Sequence, residues 1–165
     1  YLIARSVLQD LDHEPISLVA TPYQEAQASL SPDGRWFAYS SERSGIREVY
    51  VRPFPNADDD RVPISIGGGS SPVWANAGRE LFYRDADNNL VAATFTSTPS
   101  FRIVSREPLF SVADYWMDDI TPAGYDVTQN DQRFVMMRIG DEGADDSEFI
   151  LVENFLEELR QRVGN

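Results

Sequence analysis

Three stretches of this chain repeat one pattern, and that repetition limits the fold more than any single motif does. "LSPDGRWFAYSSERSGIREVYV" (Leu30 to Val51), "WANAGRELFYRDADNNLVAATF" (Trp74 to Phe95) and "VTQNDQRFVMMRIGDEGADDSEFILV" (Val127 to Val152) share a template. Each runs from a small residue through a turn tetrad and a charged or polar residue into an alternating apolar strand, a polar turn and a second strand. Ser31, Ala75 and Thr128 are equivalent, at spacings of 44 and 53 residues, and the longer interval holds the extra segment "DYWMDDITPAG". Phe37 and Tyr39, Leu81 and Tyr83, and Phe134 and Met136 sit two apart, the spacing of strands rather than of helices. Pro, Gly, Asn and Asp clusters close each run, as hairpin loops require.

A period of 40–50 residues with several short strands per unit is the interval at which propeller blades recur. With four strands per unit, one blade covers 25–66, with strands at Ala26–Leu30, Trp36–Ser41, Glu48–Pro53 and Arg61–Ile66. A second covers 70–110, with strands at Ser71–Ala75, Glu80–Arg84, Leu90–Thr96 and Phe101–Phe110. A last blade over 124–152 supplies Tyr125–Thr128, Arg133–Arg138 and Glu148–Val152. Upstream, within 1–20, Leu2–Val7 and Ile16–Ala20 read as outer strands of a preceding blade. In the tail, Phe155, Leu156, Leu159 and Val163 fall at helical spacing, which predicts a short C-terminal helix over 153–163.

On these residues the chain resembles the repeats of TolB-type, WD-repeat-like β-propellers. It is especially similar to the propeller segments of bacterial serine/threonine protein kinases, through "SPDGRWFAYSSERSGIREVYVRPFP", "GGGSSPVW", "GRELFYR", "REPLF", "YDVTQNDQRFVMM" and "ILVENFLEELRQRV". "ANAG" and "TQND" depart from the favoured "SPDG" without breaking the series. The resemblance implies an all-β fold of about three blades, half of a ring of about six, with the C-terminus as a natural end. It also implies a periplasmic or extracytoplasmic setting. A half ring leaves edges and a blade face to cover: either the natural protein is longer, or a homodimer completes the ring, which is expected on the premise that Phe37, Tyr39, Phe82 and Tyr83 would otherwise be bare.

Composition removes several function classes. Cysteine is absent and histidine occurs once, which excludes thiolate chemistry and makes sites built on imidazole or sulfur improbable. The net charge is −13 and all 14 basic residues are Arg, a balance that repels nucleic acid and anionic lipid. No apolar run approaches the roughly 20 residues needed to cross a bilayer. "YLIARSVLQDLDHEP" has no basic n-region and reads as a chain entered midway.

The chemistry-bearing stretches each have a plain reading. Ser31 to Gly34 is a tight reversal, with Asp33 bonding local backbone. "GGGSSP" (Gly67 to Pro72) lacks P-loop spacing and reads as a blade-to-blade connection. "DADNN" (Asp85 to Asn89) has calcium-like alternation, but Leu90 and Thr96 stand where Gly and Glu are needed, so it reads as a hairpin turn. The acids around Asp58 to Asp60 and Asp141 to Glu148 read as solvated loops, and His13 as an exposed turn residue without the G-x-S-x-G partner of a triad. The inserted Tyr115, Trp116, Met117, Asp118 and Asp119 combine aromatics and acids in the longest connection, and form the candidate contact site for a protein partner. The expected function is therefore a non-catalytic binding or scaffolding module with no cofactor or metal. The alternatives are the propeller portion of a larger prolyl-oligopeptidase-like hydrolase, a kinase-linked extracytoplasmic sensor, or a propeller lyase or glycosidase with catalytic residues clustered at the channel.

Overall fold

The computed structural model describes residues 2–4, 16–57, 61–117, 123–138 and 149–153. All regular structure among them is β. A two-stranded sheet, β1 (Leu2–Ala4) and β2 (Ile16–Val19), is followed by β3 (Glu25–Leu30), β4 (Trp36–Ser41), β5 (Glu48–Pro53) and β6 (Val62–Pro63). Then come β7 (Gly69–Trp74), β8 (Glu80–Asp85), β9 (Asn89–Thr96) and β10 (Arg102–Ser111), and finally β11 (Tyr125–Val127), β12 (Arg133–Met137) and β13 (Phe149–Glu153). Each sheet is an antiparallel meander paired in chain order, β3-β4-β5-β6, β7-β8-β9-β10 and β11-β12-β13, which is the blade topology the repeat predicts.

Period-two alternation sends successive residues to opposite faces of a blade, and both faces are covered. Phe37, Tyr39 and Tyr50 look back onto Leu2, Leu18 and Val19 of the first sheet. Ala38, Val49, Val51 and Ile64 look forward onto Trp74, Leu81, Tyr83 and Val91 of the next. Phe82, Leu90 and Ala92 then pack onto Tyr125, Phe134 and Met136, with the Phe82 and Phe134 rings edge to face at 4.9 Å. Phe37, Tyr39, Phe82 and Tyr83 are thus all buried, none more than 3% exposed. This corrects the premise that they would lie bare in a single chain, because each meets the neighbouring blade of its own chain. The forward face of the last blade differs: Val135, the equivalent of Ala38 and Phe82, is 40% exposed.

Most strand boundaries match the sequence reading or shift from it by one residue, and two shift further for identifiable reasons. The last strand of the 25–66 blade shrinks to Val62–Pro63, because beyond it the Val49 N–H is taken by the Ser65 hydroxyl at 2.8 Å instead of by backbone. β7 starts earlier, at Gly69, inside the glycine run. A Cβ there would sit 2.4 Å from that of Ser65, so only glycine lets the two blades approach. Glu153 belongs to β13, not to a helix, and the remainder of the proposed C-terminal helix lies outside the described residues.

Blade-to-blade packing makes a quantitative prediction. Phe82→Ala, at a fully buried ring, is expected to lower stability by about 3–5 kcal/mol. Val135→Thr, at the equivalent forward position of the last blade, should change it by no more than about 0.5 kcal/mol. Urea unfolding of the two variants measures the difference.

Candidate functional site

The first strand of each blade, β3, β7 and β11, contributes to one groove. In β3 and β7 the pairing register slips, between Ala26 and Ser29 and between Ser70 and Val73. At the slips Gln27 and Ser71 adopt left-handed backbone, φ 56° and 57°. That conformation costs a side-chain-bearing residue roughly 1–2 kcal/mol, so something must offset it.

Hydrogen bonds between the blades do. Gln27 Oε1 accepts from the Ser71 backbone N–H at 2.8 Å and from the Ser40 hydroxyl at 3.0 Å, while Gln27 Nε2 lies 3.1 Å from Ser71 Oγ as donor. The Tyr125 hydroxyl donates to the Ser71 carbonyl at 2.8 Å. Burial first, and the nearby Asp126 charge second, push the Tyr125 phenol well above its ordinary value of 10.0, so it remains a donor. One polar relay therefore crosses three blades at their innermost strands.

Above this floor lies a hollow of about 540 Å³, bounded by Gln27, Ala28 and Ser29 of β3, Pro72 and Val73 of β7, Tyr125 and Asp126 of β11, and Val135 to Met137 of β12. Trp116 forms part of its wall and is 41% exposed. The backbone that carries the ring is held on both sides. Trp116 N–H donates to Met137 O at 2.8 Å, and Tyr115 pairs with Arg138. Gly124 passes so close that a Cβ there would lie 2.2 Å from the Trp116 carbonyl oxygen. Of the candidate contact residues, Tyr115 and Met117 pack as part-buried neighbours of the core between the last two blades. Trp116 reaches the groove, and Asp118 and Asp119 lie outside the described residues.

Gln27, Ser40, Ser71 and Tyr125 are engaged with one another, and Asp126 is the one charged side chain among the described lining residues. Apart from Gln27 and Ser29, the groove's other lining side chains are apolar or aromatic. Sequence reasoning missed the relay, although one signal was present: Gln27 and Ser71 are 44 residues apart, the repeat spacing itself.

The remaining stretches are turns and connections. Asp33 accepts from the Ser31 hydroxyl at 2.7 Å, the Arg35 N–H at 3.1 Å and Arg35 Nε at 2.7 Å. Asp85 accepts from the backbone of Asp87 and Asn89 and from the Asn89 amide, closing a hairpin. In the glycine connection the buried Glu48 carboxylate accepts from Gly68 N–H at 3.1 Å and from the Ser65 hydroxyl. His13, Asp58 to Asp60 and Asp141 to Glu148 lie outside the described residues.

The Ser31 hydroxyl, followed by the Arg35 backbone and side chain, holds the Asp33 carboxyl at about 2, below its ordinary 3.8. Because the folded value is depressed, this carboxylate stabilises the fold above the ordinary value and ceases to do so as pH falls through about 2. Asp33→Asn is expected to flatten that part of the acid limb of stability. Thermal unfolding from pH 5 down to 2 of both proteins checks it, and the exposed position keeps the effect small.

No protein-family model matches the sequence, and a search of curated proteins finds no match. Solved structures do resemble it. A protein described as a TolB from Agrobacterium tumefaciens superposes with a TM-score of 0.57 at 14% identity, over 86% of this chain and 49% of that one. An oligogalacturonate lyase from Vibrio parahaemolyticus superposes at 0.55 and 14% identity, over 78% of this chain and 33% of that one. Both are TolB-like β-propellers. The chain spans between a third and a half of their lengths, and the likeness is one of fold.

Proposed function

We propose that this TolB-like propeller segment is a non-catalytic binding module whose inner-strand groove receives an extended segment of a protein partner. The observation that carries the reading is Trp116: a large ring, substantially exposed, on a backbone held by main-chain contacts beside a groove whose buried polar groups are already bonded. A preset aromatic anchor spends little affinity on ordering, and aromatic anchors dominate protein interfaces. The groove's lining is largely apolar, with Gln27, Ser29 and one carboxylate, Asp126, and favours an apolar peptide with a basic residue beside it. This role also fits the sensor segment of a kinase-linked propeller, which the sequence resemblance implies. The lyase among the structural neighbours lends its fold to this reading and not its chemistry.

Panning a displayed library of random heptapeptides against the chain tests the proposal. Enriched peptides are expected to bind Trp116→Ala at least about tenfold more weakly by calorimetry, with Ile66→Ser, at an exposed residue remote from the groove lining, unchanged. Peptides that bind Trp116→Ala as well as the parent chain, or a library that yields no binder, would remove the proposal.

A further inference from the structure

The three equivalent turns allow a comparison within the molecule. Gly34, Gly78 and Asp131 occupy the same turn position. Each donates its N–H to the residue three before it, at 2.9, 3.0 and 2.8 Å, and each has left-handed φ, at 68°, 65° and 57°. Between the second and third turns the gap is closed by protein. The Asp131 carboxylate accepts from the Asn76 and Ala77 backbone N–H groups at 2.7 Å each, and Asn76 Nδ2 donates to Thr128 O at 3.1 Å.

Between the first and second turns that closure is missing. Gly78 brings no side chain where the next turn has a carboxylate, and Pro32 offers no N–H where Asn76 does. A hollow of about 310 Å³ remains, bounded by the two turns and by Trp36, Trp74 and Phe95. These rings are fixed by their own packing. Phe101 stacks on Phe95 at 4.5 Å and touches Trp36 at 5.0 Å, Trp74 meets Phe95 edge-on at 5.4 Å, and the Trp74 indole N–H donates to Ser29 O at 2.9 Å.

We propose that this hollow is a binding site for a small organic cation of the quaternary or alkylated ammonium class. Two indoles and a phenyl ring border one cavity, although Phe101 already covers one face of Phe95; aromatic rings attract such cations through their π-systems. No cationic side chain lines the hollow among the described residues, and Asp33 contributes a carboxylate that stays ionised down to about pH 2. Arg35 pairs with that carboxylate from outside the lining, so the rings and the chain's net charge of −13, rather than a bare acid, carry the recognition. An ammonium wrapped in methyl groups has the low hydration that such a wall requires.

Choline and its uncharged carbon isostere, 3,3-dimethylbutan-1-ol, separate charge from shape. Titration of the chain, followed by tryptophan fluorescence and by ligand-observed magnetic resonance, is expected to show saturable choline binding about tenfold tighter than that of the isostere. Trp36→Leu keeps apolar volume but removes a ring, and should abolish the preference. Ala77→Leu, at an exposed rim position outside the core, should obstruct both ligands while leaving the unfolding temperature close to the parent's. Equal binding of the two ligands, no saturation by choline up to about 100 mM, or full choline affinity in Ala77→Leu would each overturn the proposal.

Discussion

The buried relay from Gln27 through Ser71 to Tyr125 is the interaction on which the rest of the structure depends. A blade cannot stand alone, because both its faces are apolar, and face-to-face packing is non-directional: it does not decide how far one blade is rotated against the next. The relay supplies direction. Gln27 reads the Ser71 amide, Tyr125 reads the Ser71 carbonyl, and together they fix three first strands side by side. A net gain of about 1 kcal/mol per bond is modest, but an unmet buried donor or acceptor costs more, so misplaced blades are penalised.

That constraint also creates the groove. The left-handed Gln27 and Ser71 interrupt their strands' pairing and are held by the relay, and the groove is bounded by the segments that follow them, Ala28 and Ser29 in one blade and Pro72 and Val73 in the other. The third blade adds Tyr125 to the relay and Asp126 to the lining, and the inserted segment before it brings Trp116 alongside. The relay and the groove thus share the same strands.

The strands themselves were legible. Trp36–Ser41 and Glu48–Pro53 follow from alternation and turn residues alone, since local preference and tertiary packing agree there. Asp33 and Asp85 were legible as turn residues because their bonds are local. The relay was not, because a glutamine in "EAQASL" carries no local mark of its long-range partner. The start of β7 was missed for a related reason: the glycines of "GGGSSP" suggest a loop, whereas Gly69 is a strand residue made small by Ser65 of the preceding blade. Trp116 was singled out by composition, but its setting beside Gly124 and Met137 is a tertiary fact. The dimer expectation rested on Phe37, Tyr39, Phe82 and Tyr83, and alternation alone could not reveal that neighbouring blades of one chain already cover them.

Hydrogen exchange at the Ser71 amide tests the central claim most directly, because this one group is wholly buried and bonded to a side chain of another blade rather than to its own ladder. If the relay holds the blades in register, the amide should exchange only through global unfolding, with protection equal to that of the β8 core amides, and Gln27→Leu should selectively strip that protection. Exchange at Ser71 as fast as in an exposed turn, while β8 stays protected, would contradict the account.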